Sequence, residues 1–291
     1  MEETNYKLVI LQQNVAKSYA ITQSILQTGL EVKADAIFVQ EPCISHGNLI
    51  AHSAYWSVLP NCPNPETRPR VAVYWRKQSA FKYSQITHLV DDPDILVLNI
   101  SGPGLPEFQM INIYNEKRSG NDTGIGQYTV ERSLQRINLP SNKAIICGDF
   151  NAHHHWWNSE IETPERSENL VTWLTENDFE LLNTPDISPF DRPNLQSISI
   201  LDLAFATPRM ASKVVNWQIS DDLQNGSDHA LISFAITTEN TELVENPAFS
   251  KLYNLEKADW NQFASCLKNA TGHLQRDYEN LTNADIDQIT S

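Results

Sequence analysis

The chain is poor in positive charge. Its 291 residues include 21 Lys and Arg against 36 Asp and Glu, which gives a formal net charge of −15 at pH 7. A simple nucleic-acid binder usually carries a basic face. A polyanionic substrate would therefore need a local basic cluster or a bound divalent cation to supply the positive field. The sequence offers one such cluster in Arg68, Arg70, Arg76 and Lys77.

Three further absences exclude other classes of protein. No apolar run has the length of a membrane-spanning helix, so no contact with a membrane is expected. The acidic first residues lack the basic and apolar zones of a signal peptide. The cysteines are few and scattered without C-x-x-C spacing, which disfavours structural zinc and a disulfide framework. An intracellular location is the expectation that fits these features.

Short runs rich in Val, Ile, Phe and Tyr predict strands. They cover residues 6–11, 36–40, 71–75, 95–100, 108–114, 143–147, 200–205 and 230–236. Apolar residues at helical spacing predict helices over residues 18–30, 124–137, 167–177 and 255–270. The partial alternation of strands and helices predicts a mixed α/β protein, and two packed sheets would accommodate this many strands.

The polar and acidic stretch 237–247 predicts a linker between two regions. The expected division is a main domain over residues 1–238, followed by an acidic linker and a C-terminal helical segment over residues 239–291. In that segment Trp260, Phe263 and Leu267 share one helical face. Such a face needs a partner surface, either on the main domain or on a neighbour.

The most informative motif is Gly148-Asp149-Phe150-Asn151, which follows a compact apolar strand. The glycine permits a sharp chain exit. Taken alone, the motif is also ordinary turn chemistry. Polar residues recur, however, at the ends of several other predicted strands, and sheet edges collect active sites. These residues are Gln12, Gln13, Asn14, Gln40, Glu41, Tyr114, Asn115, Asp202, Asp228 and His229. Together and in this order they favour a functional site over a series of turns.

The types of these residues predict phosphate chemistry. Asn14, Glu41 and Asp228 form an oxygen-rich set that suits a hard cation such as Mg²⁺ or Mn²⁺. Asp149 would orient or deprotonate a water molecule, and Asn151 would steady that water and the phosphoryl group.

The remaining candidates would contact the phosphate itself. His229 would meet a phosphate oxygen, and Asp202 would hold the imidazole in one tautomer. Tyr114 would offer its hydroxyl to the same phosphate. Metal, imidazole and amides would then act together as electrostatic stabilisers of the charge that develops on phosphorus.

This ordered set of motifs resembles the endonuclease/exonuclease/phosphatase superfamily over about residues 6–237. The resemblance rests on Gln13-Asn14, Val39-Gln40-Glu41-Pro42, Ile113-Tyr114, Gly148-Asp149-Phe150-Asn151, Ile200-Leu201-Asp202-Leu203 and Ser227-Asp228-His229. It implies a four-layer α/β sandwich, in which two packed mixed sheets are flanked by helices. It also implies Mg²⁺-dependent hydrolysis of phosphate esters, with the residue roles given above.

Within that superfamily, residues 151–157, 68–74 and 201–205 resemble the apurinic-endonuclease-like domain of LINE-type (non-LTR) retrotransposons, most closely those of fungi. Asp259, Trp260 and Phe263 resemble the region that joins such a domain to a reverse transcriptase. The resemblance implies nicking of target DNA, whose freed 3′-hydroxyl primes reverse transcription. It also implies a nuclear location when the substrate is chromosomal DNA, and a reverse-transcriptase domain as partner in a longer polyprotein.

Several residues are candidates for contact with the DNA. The resemblance implies a hydroxyl upstream of the Asp202 segment, which Ser188 or Ser199 would supply. Arg70 comes from the basic cluster. His154 and Trp157 are placed at the rim, where aromatic side chains can wedge or stack on bases. Two alternatives stay open for this segment. The adjacent histidines 153–155 could bind zinc, although successive side chains point in different directions, and both tryptophans could fill the core.

The leading hypothesis is thus a Mg²⁺-dependent DNA endonuclease. Two alternatives remain: an abasic-site repair endonuclease, with a lipid or inositol phosphate phosphatase less favoured, and a catalytically inactive relic that binds a protein partner.

Overall fold

The computed structural model describes residues 6–61, 67–88, 90–116, 134, 143–160, 163, 165–187, 200–220, 227–238 and 259–271. The chain divides into two compact units, residues 1–252 and 253–291. The described part of the second unit is one helix. The predicted boundary after residue 238 adjoins residues 239–258, which lie outside the described part, so that boundary stays a prediction.

The described secondary structure begins with β1 (Lys7–Asn14), α1 (Tyr19–Glu31), β2 (Ala36–Gln40), β3 (Ile44–Ser45), β4 (Asn48–Leu49), β5 (Tyr55–Val58), β6 (Val71–Arg76) and β7 (Lys82–Gln85). It continues with β8 (Ile95–Gly102), β9 (Leu105–Tyr114), β10 (Ala144–Asp149), α2 (Glu165–Glu176), β11 (Glu180–Leu181), β12 (Asp202–Ala206), α3 (Pro208–Ala211), β13 (Val214–Ser220), β14 (Leu231–Thr237) and α4 (Trp260–Thr271).

Two six-stranded sheets form the body of the first unit. The first sheet has the order β13-β14-β1-β2-β6-β5, and the second has the order β11-β12-β10-β9-β8-β7. Each sheet has one parallel pair, β1 with β2 and β9 with β10, between antiparallel neighbours. Because the strands of a parallel pair end at the same edge, the residues that follow them are brought together.

Apolar side chains pack on both faces of each sheet. Between the sheets, residues of the first such as Leu8 and Phe38 form one buried cluster with residues of the second such as Met110 and Cys147. On the outer face of the first sheet, α1 buries Ile25 and Leu26 against residues of β2 and β6. On the outer face of the second sheet, α2 buries Leu170 and Leu174 against β9 and β10. The predicted four-layer α/β sandwich is confirmed.

Helix α1 shows how local sequence fixes one of these layers. The Ser18 hydroxyl caps its start by accepting a hydrogen bond from the Ile21 backbone N–H at 3.3 Å. Gly29 lets the helix approach the sheet closely, because a Cβ atom there would lie 2.5 Å from Ile37 Cδ1. The helix therefore lies directly against β2, the strand that leads to Glu41.

A buried pair of amides links the two sheets. Gln40 Nε2 donates to Asn112 Oδ1 at 2.6 Å, and Asn112 Nδ2 donates to the backbone oxygens of Val39 and Ala72 at 3.2 and 2.9 Å. Leaving such groups unpaired in the interior would cost free energy, so these hydrogen bonds favour one relative position of the sheets. Gln40 directly precedes Glu41, and Asn112 lies two residues before Tyr114, so this pair adjoins the edge where the predicted site residues gather.

The predicted strands are all present, with ends displaced by at most three residues. The predicted helices near residues 18–30, 167–177 and 255–270 are also present as α1, α2 and α4, whereas the one over residues 124–137 lies outside the described residues apart from Leu134. The sequence did not predict the edge strands β5, β7 and β13, whose side chains are partly exposed and mixed in polarity. Among the described helices, none combines the length and apolar character needed to span a bilayer.

Candidate active site

Asp149, at the end of β10, lies at the centre of the candidate site. It pairs with Tyr114 of β9 on one side and with Asp202 of β12 on the other. Gly148 makes this arrangement possible, since a Cβ atom at that position would lie 1.9 Å from the Ile113 backbone oxygen. The register of three strands therefore brings a tyrosine and two carboxylates to one edge of the second sheet.

Asn14 brings the first sheet to the same place. It ends β1 opposite Gln40, the residue before Glu41. Its Nδ2 donates to Asp149 Oδ2 at 2.9 Å and lies 3.5 Å from Glu41 Oε2. Its Oδ1 accepts from the Ala16 backbone N–H at 2.8 Å, which fixes the orientation of the amide. A single side chain thus joins a carboxylate of one sheet to a carboxylate of the other.

Glu41 and Asn151 both adopt a left-handed backbone conformation, with φ angles of 46° and 42°. Non-glycine residues in this region carry backbone strain of about 1–3 kcal/mol, and such strain is common at active sites. The surroundings hold Glu41 in place. Its backbone N–H donates to the Arg70 oxygen, its backbone oxygen accepts from the Lys17 N–H, and its Oε1 lies 2.7 Å from Lys17 Nζ. The Glu41 carboxylate therefore forms an ion pair with the Lys17 ammonium.

His229 completes the cluster from the loop before β14. Its Nδ1 lies 2.8 Å from Asp202 Oδ2, and its Nε2 lies 4.0 Å from Asp149 Oδ2. Its backbone is held as well, because its N–H donates to the Ser227 hydroxyl and its oxygen accepts from Gln13 Nε2. The contacts from Glu41 through Asn14 and Asp149 to His229 are continuous, so these residues share one pocket.

The charges of this pocket follow from burial and from the neighbouring acids. Burial by itself lowers the pKa of His229, but Asp202, with smaller contributions from Asp149 and Asp228, raises it to about 9. Burial, aided by the charge of Asp202, raises the pKa of Asp149 to about 7, although His229 and Asn14 oppose the shift. At neutral pH His229 is therefore a cation beside an acid that readily exchanges a proton.

Tyr114 enters the pocket as a neutral phenol. Burial raises its pKa above the ordinary value, and the charges of Glu41 and Asp149 add to the shift. The effect of the Glu41 charge on this pKa places the carboxylate close to the Tyr114 hydroxyl. The ring lies under the Arg70 guanidinium, whose central carbon is 5.5 Å from the ring centroid.

Arg70 does not present a free positive charge, contrary to its predicted contact with DNA. Its guanidinium forms two hydrogen bonds with the Asp94 carboxylate and lies 2.8 Å from Glu116 Oε1. Two carboxylates thus engage this cation, and it supports Tyr114 instead.

The predicted rim residues His154 and Trp157 are fully buried. Trp157 packs against Phe205 and donates its indole N–H to the Ala152 backbone oxygen at 3.2 Å. The prediction that these side chains touch DNA is wrong, because no surface of either is open to a ligand. Trp156 is also buried, so the alternative that both tryptophans fill the core is the one that the structure shows.

The zinc alternative for the histidine run also meets a chemical obstacle. His154, His155 and Glu168 have potential ligand atoms within 4.8 Å of one another. His154 Nδ1, however, accepts a hydrogen bond from the Trp156 backbone N–H at 2.9 Å. The neutral ring then carries its proton on Nε2, the nitrogen that faces Glu168 at 3.7 Å. That nitrogen is a donor in this tautomer and has no lone pair for a metal ion.

The three predicted metal ligands differ in their surroundings. Asn14 and Glu41 are adjacent, whereas the Asp228 side chain is 70% exposed and reaches only to 4.0 Å from His229 Nε2. In the described part of the chain, Asp149, Asp202 and His229 have ligand atoms within 4.8 Å of one another. Ser188 and Ser199 lie outside the described residues, so their predicted contacts with substrate stay predictions.

Sequence reasoning missed Lys17, which contacts Glu41, and Asp94, which binds Arg70. It named Gln13 and Ser227 in motifs but assigned them no role, and the structure shows that they hold the His229 backbone. Lys17 was open to prediction, since it lies three residues beyond Asn14. Asp94 was not, because its partner is 24 residues away and only the packing of the two sheets brings them together.

Comparison with known proteins identifies the fold. Residues 108–233, less than half of the chain, match the family described as endonuclease-reverse transcriptase. The endonuclease domain of TRAS1, a telomere-specific non-LTR retrotransposon, superimposes with a TM-score of 0.64 at 23% identity, covering 79% of this chain and 98% of that one. The chain has the endonuclease/exonuclease/phosphatase fold. The superfamily resemblance seen in the sequence is confirmed, while a fungal origin stays a prediction.

Repair enzymes share this endonuclease/exonuclease/phosphatase fold. The AP endonuclease LMAP from Leishmania major is 14% identical, with a TM-score of 0.58, and the match covers 79% of this chain and 87% of that one. An AP endonuclease from Archaeoglobus fulgidus is 16% identical, with a TM-score of 0.57 and coverages of 79% and 99%. No curated protein matches the chain by sequence.

Proposed function

We propose that the chain is a divalent-cation-dependent endonuclease that nicks DNA, acting for a non-LTR retrotransposon. The observation that carries this proposal is the convergence of Glu41, Asn14, Asp149 and His229, from both sheets, in one hydrogen-bonded pocket. The match of residues 108–233 to a family described as endonuclease-reverse transcriptase supports a reverse transcriptase as the associated activity. An enzyme of this kind that acts on chromosomal DNA would work in the nucleus.

The residues present fit a hard cation. The carboxylate oxygens of Glu41 and Asp228 are ligands of the kind that Mg²⁺ and Mn²⁺ prefer. Asn14 directs its Nδ2 towards Glu41 and Asp149 while its Oδ1 accepts from the Ala16 N–H, so it would add an oxygen ligand only with its amide rotated. The Glu41 carboxylate forms an ion pair with the Lys17 ammonium, which supports its ability to bind a positive charge. When bound, the cation would supply positive charge to the phosphate oxygens. Because the sequence carries a formal net charge of −15, such a local positive charge would favour the approach of DNA.

The protein groups define the rest of the reaction. Asp149 accepts a proton from the attacking water as the new O–P bond forms, and a pKa near 7 suits a base at neutral pH. Breaking the P–O3′ bond releases the 3′-oxygen, which takes a proton from solvent water to give the 3′-hydroxyl, and leaves a 5′-phosphate on the other side of the nick.

Three further groups act on the phosphate. The protonated His229, held through Nδ1 by Asp202, has its Nε2–H free to donate to a phosphate oxygen. Tyr114 is a neutral phenol whose hydroxyl lies near the Glu41 carboxylate. Asn151, held at a left-handed φ, would direct its amide to the attacking water. Such preorganised donors stabilise developing charge and are often the largest single contribution to catalysis.

A substrate comparison tests the proposal. The protein would be incubated with supercoiled plasmid, with an abasic oligonucleotide and with an inositol phosphate, each with and without Mg²⁺. Nicking of the plasmid that requires Mg²⁺ is the expected result. Cleavage confined to the abasic site would instead favour a repair enzyme, a second function that the shared fold of two AP endonucleases keeps in view. Absence of hydrolysis with all three substrates would favour the inactive, protein-binding alternative.

Glu41→Ala tests the metal assignment within the same assay. We expect the variant to need at least about tenfold more Mg²⁺ for half-maximal nicking, in line with the loss of a ligand or its partner. An unchanged Mg²⁺ requirement would remove Glu41 from the cation site.

A further inference from the structure

Arg70 and Asp94 form an ion pair that crosses from one sheet to the other beside the candidate site. Arg70 directly precedes β6 of the first sheet, and Asp94 directly precedes β8 of the second. The guanidinium binds both oxygens of the carboxylate, and the Asp94 side chain is only 1% exposed. Paired in this planar, two-point manner, an arginine gives a defined geometry that a lysine cannot reproduce.

The backbones of the same two residues hold two residues of the site. The Arg70 oxygen accepts from the Glu41 N–H at 2.8 Å, and the Asp94 oxygen accepts from the Tyr114 N–H at 3.0 Å. The Arg70 N–H also donates to the Pro93 oxygen at 2.9 Å, so the two segments are joined through backbone as well as side chains. Whatever fixes Arg70 against Asp94 therefore fixes Glu41 against Tyr114.

Glu41 and Tyr114 are the residues that need this support. They come from different sheets, and their side chains are near enough for the Glu41 charge to raise the pKa of Tyr114. Glu41 has a φ of 46°, a conformation that persists only where the surroundings enforce it. The Arg70 guanidinium also lies over the Tyr114 ring, at 5.5 Å from its centroid.

We propose that the Arg70–Asp94 ion pair is a positioning pair, which holds Glu41 and Tyr114 in the geometry that binds the cation and the phosphate. This inference rests on the function proposed above, and it assigns Arg70 a role through Glu41 and Tyr114 in place of a direct contact with DNA. Loss of the pair would weaken cation binding beyond any general loss of stability.

The chain provides a matched control at the other end of β6. There Arg76 Nη2 lies 2.6 Å from Asp35 Oδ1, and these side chains are 26% and 4% exposed, against 25% and 1% for Arg70 and Asp94. Arg76 also donates its backbone N–H to the Asp35 oxygen, as Arg70 donates its own to the oxygen of Pro93, the residue before Asp94. The two pairs are thus alike in ion type and burial, although Arg76 makes one side-chain contact with its aspartate where Arg70 makes two. Only Arg70–Asp94 adjoins the site.

The experiment compares Arg70→Gln with Arg76→Gln in two measurements. The first is the rise in melting temperature that Mn²⁺ produces, which needs no catalysis. The second is the Mg²⁺ concentration for half-maximal plasmid nicking. Both variants should lower the melting temperature without metal, since each removes the cation beside a buried aspartate. Only Arg70→Gln should raise the Mn²⁺ and Mg²⁺ concentrations required, by about tenfold or more.

Arg70→Lys provides a second test of the positioning role in case Arg70→Gln misfolds. It keeps the charge but loses the two-point contact, so we expect a smaller increase in the metal required. Equal metal requirements for the Arg70 and Arg76 variants would overturn the positioning role.

The proposed function has its own, separate outcome in the same experiment. If the unaltered protein showed neither stabilisation by Mn²⁺ nor Mg²⁺-dependent nicking, the cation-dependent function itself would fail, and the positioning role with it. A normal response of the unaltered protein with an unshifted Arg70→Gln response would overturn the positioning role alone.

Discussion

His229 and His154 lie beside carboxylates in the same unit, yet at neutral pH their surroundings make the first a cation and leave the second neutral. Asp202, which is only 3% exposed, helps to raise the pKa of His229 to about 9. Burial, aided by His155, lowers the pKa of His154 to about 4, although Glu168 opposes the shift. The Glu168 side chain is 55% exposed and its charge is screened by water. A histidine therefore becomes a buried cation when its acidic partner is buried with it.

Asp149→Ala is expected to have the largest effect, because it removes the proposed base and one of the two buried acids near His229. We expect the rate of plasmid nicking to fall by about 10²–10⁴-fold, the usual contribution of general acid–base catalysis. Circular dichroism would establish that the variant is folded. Nicking at the unaltered rate would show that the activity resides elsewhere.

Asp202→Asn should directly reduce the difference in pKa between His229 and His154. Without the Asp202 charge and hydrogen bond, burial is opposed only by Asp149 and Asp228, so the pKa of His229 should fall below its value in the unaltered protein. Activity that needs protonated His229 is present below the pKa of this residue and is lost as the pH rises through about 9 in the unaltered protein. In the variant this loss should begin at a lower pH, with a rate reduction of about 10–100-fold at pH 7.5.

The pH dependence of the nicking rate would check the Asp202→Asn prediction. The acidic side of the same profile reports Asp149, whose activity as a base should increase as the pH rises through its pKa. That pKa is about 7 in the protein alone and is lower when a metal cation lies nearby. An alkaline limit that stays in place in Asp202→Asn would show that His229 does not act as a cation.

His154→Gln tests the neutral histidine through stability. The folded-state pKa of about 4 lies below the ordinary value of 6.5, so the folded protein binds this proton less readily than the unfolded chain. The contribution of neutral His154 is thus complete above pH 6.5 and is lost as the pH falls towards 4, on the order of 2 kcal/mol. Urea unfolding at several pH values in EDTA should show a weaker acid dependence for the variant. Parallel curves for the two proteins would contradict this assignment.

His155→Ala should have the smallest effect. The side chain is exposed, with Nδ1 at 3.2 Å from the Thr163 hydroxyl, so its removal should change the free energy of unfolding by less than about 0.5 kcal/mol. Its charge helps to lower the pKa of His154, so the acid dependence of stability should become slightly shallower. A large loss of stability would show that His155 has a structural role of its own.

The pattern of strands could be predicted from the sequence because buried strands such as β2 and β10 are short apolar runs with polar residues at their ends. Those ends then gave Asn14, Glu41, Tyr114, Asp149, Asp202 and His229, which the structure brings into one pocket. Edge strands such as β5 were not predictable, because their outward side chains show no apolar alternation.

The direction of side chains in loops could not be predicted. The run from His153 to Trp157 has the composition of an exposed binding loop, but after Asn151 the chain turns so that His154 and Trp157 point into the core. Periodicity gives no direction to residues outside a helix or strand. In the same way the charge of Arg70 suggested a DNA contact, because its partner Asp94 is distant in sequence.

The order of the strands has a consequence for synthesis of the protein on the ribosome. Strand β1 is made first, but its antiparallel neighbour β14 is made last, after the whole second sheet. A growing chain therefore carries Glu41, Asp149 and Asp202 before it carries His229. The histidine joins these acids only when the last described strand has closed the first sheet, so an unfinished chain lacks the complete set of site residues.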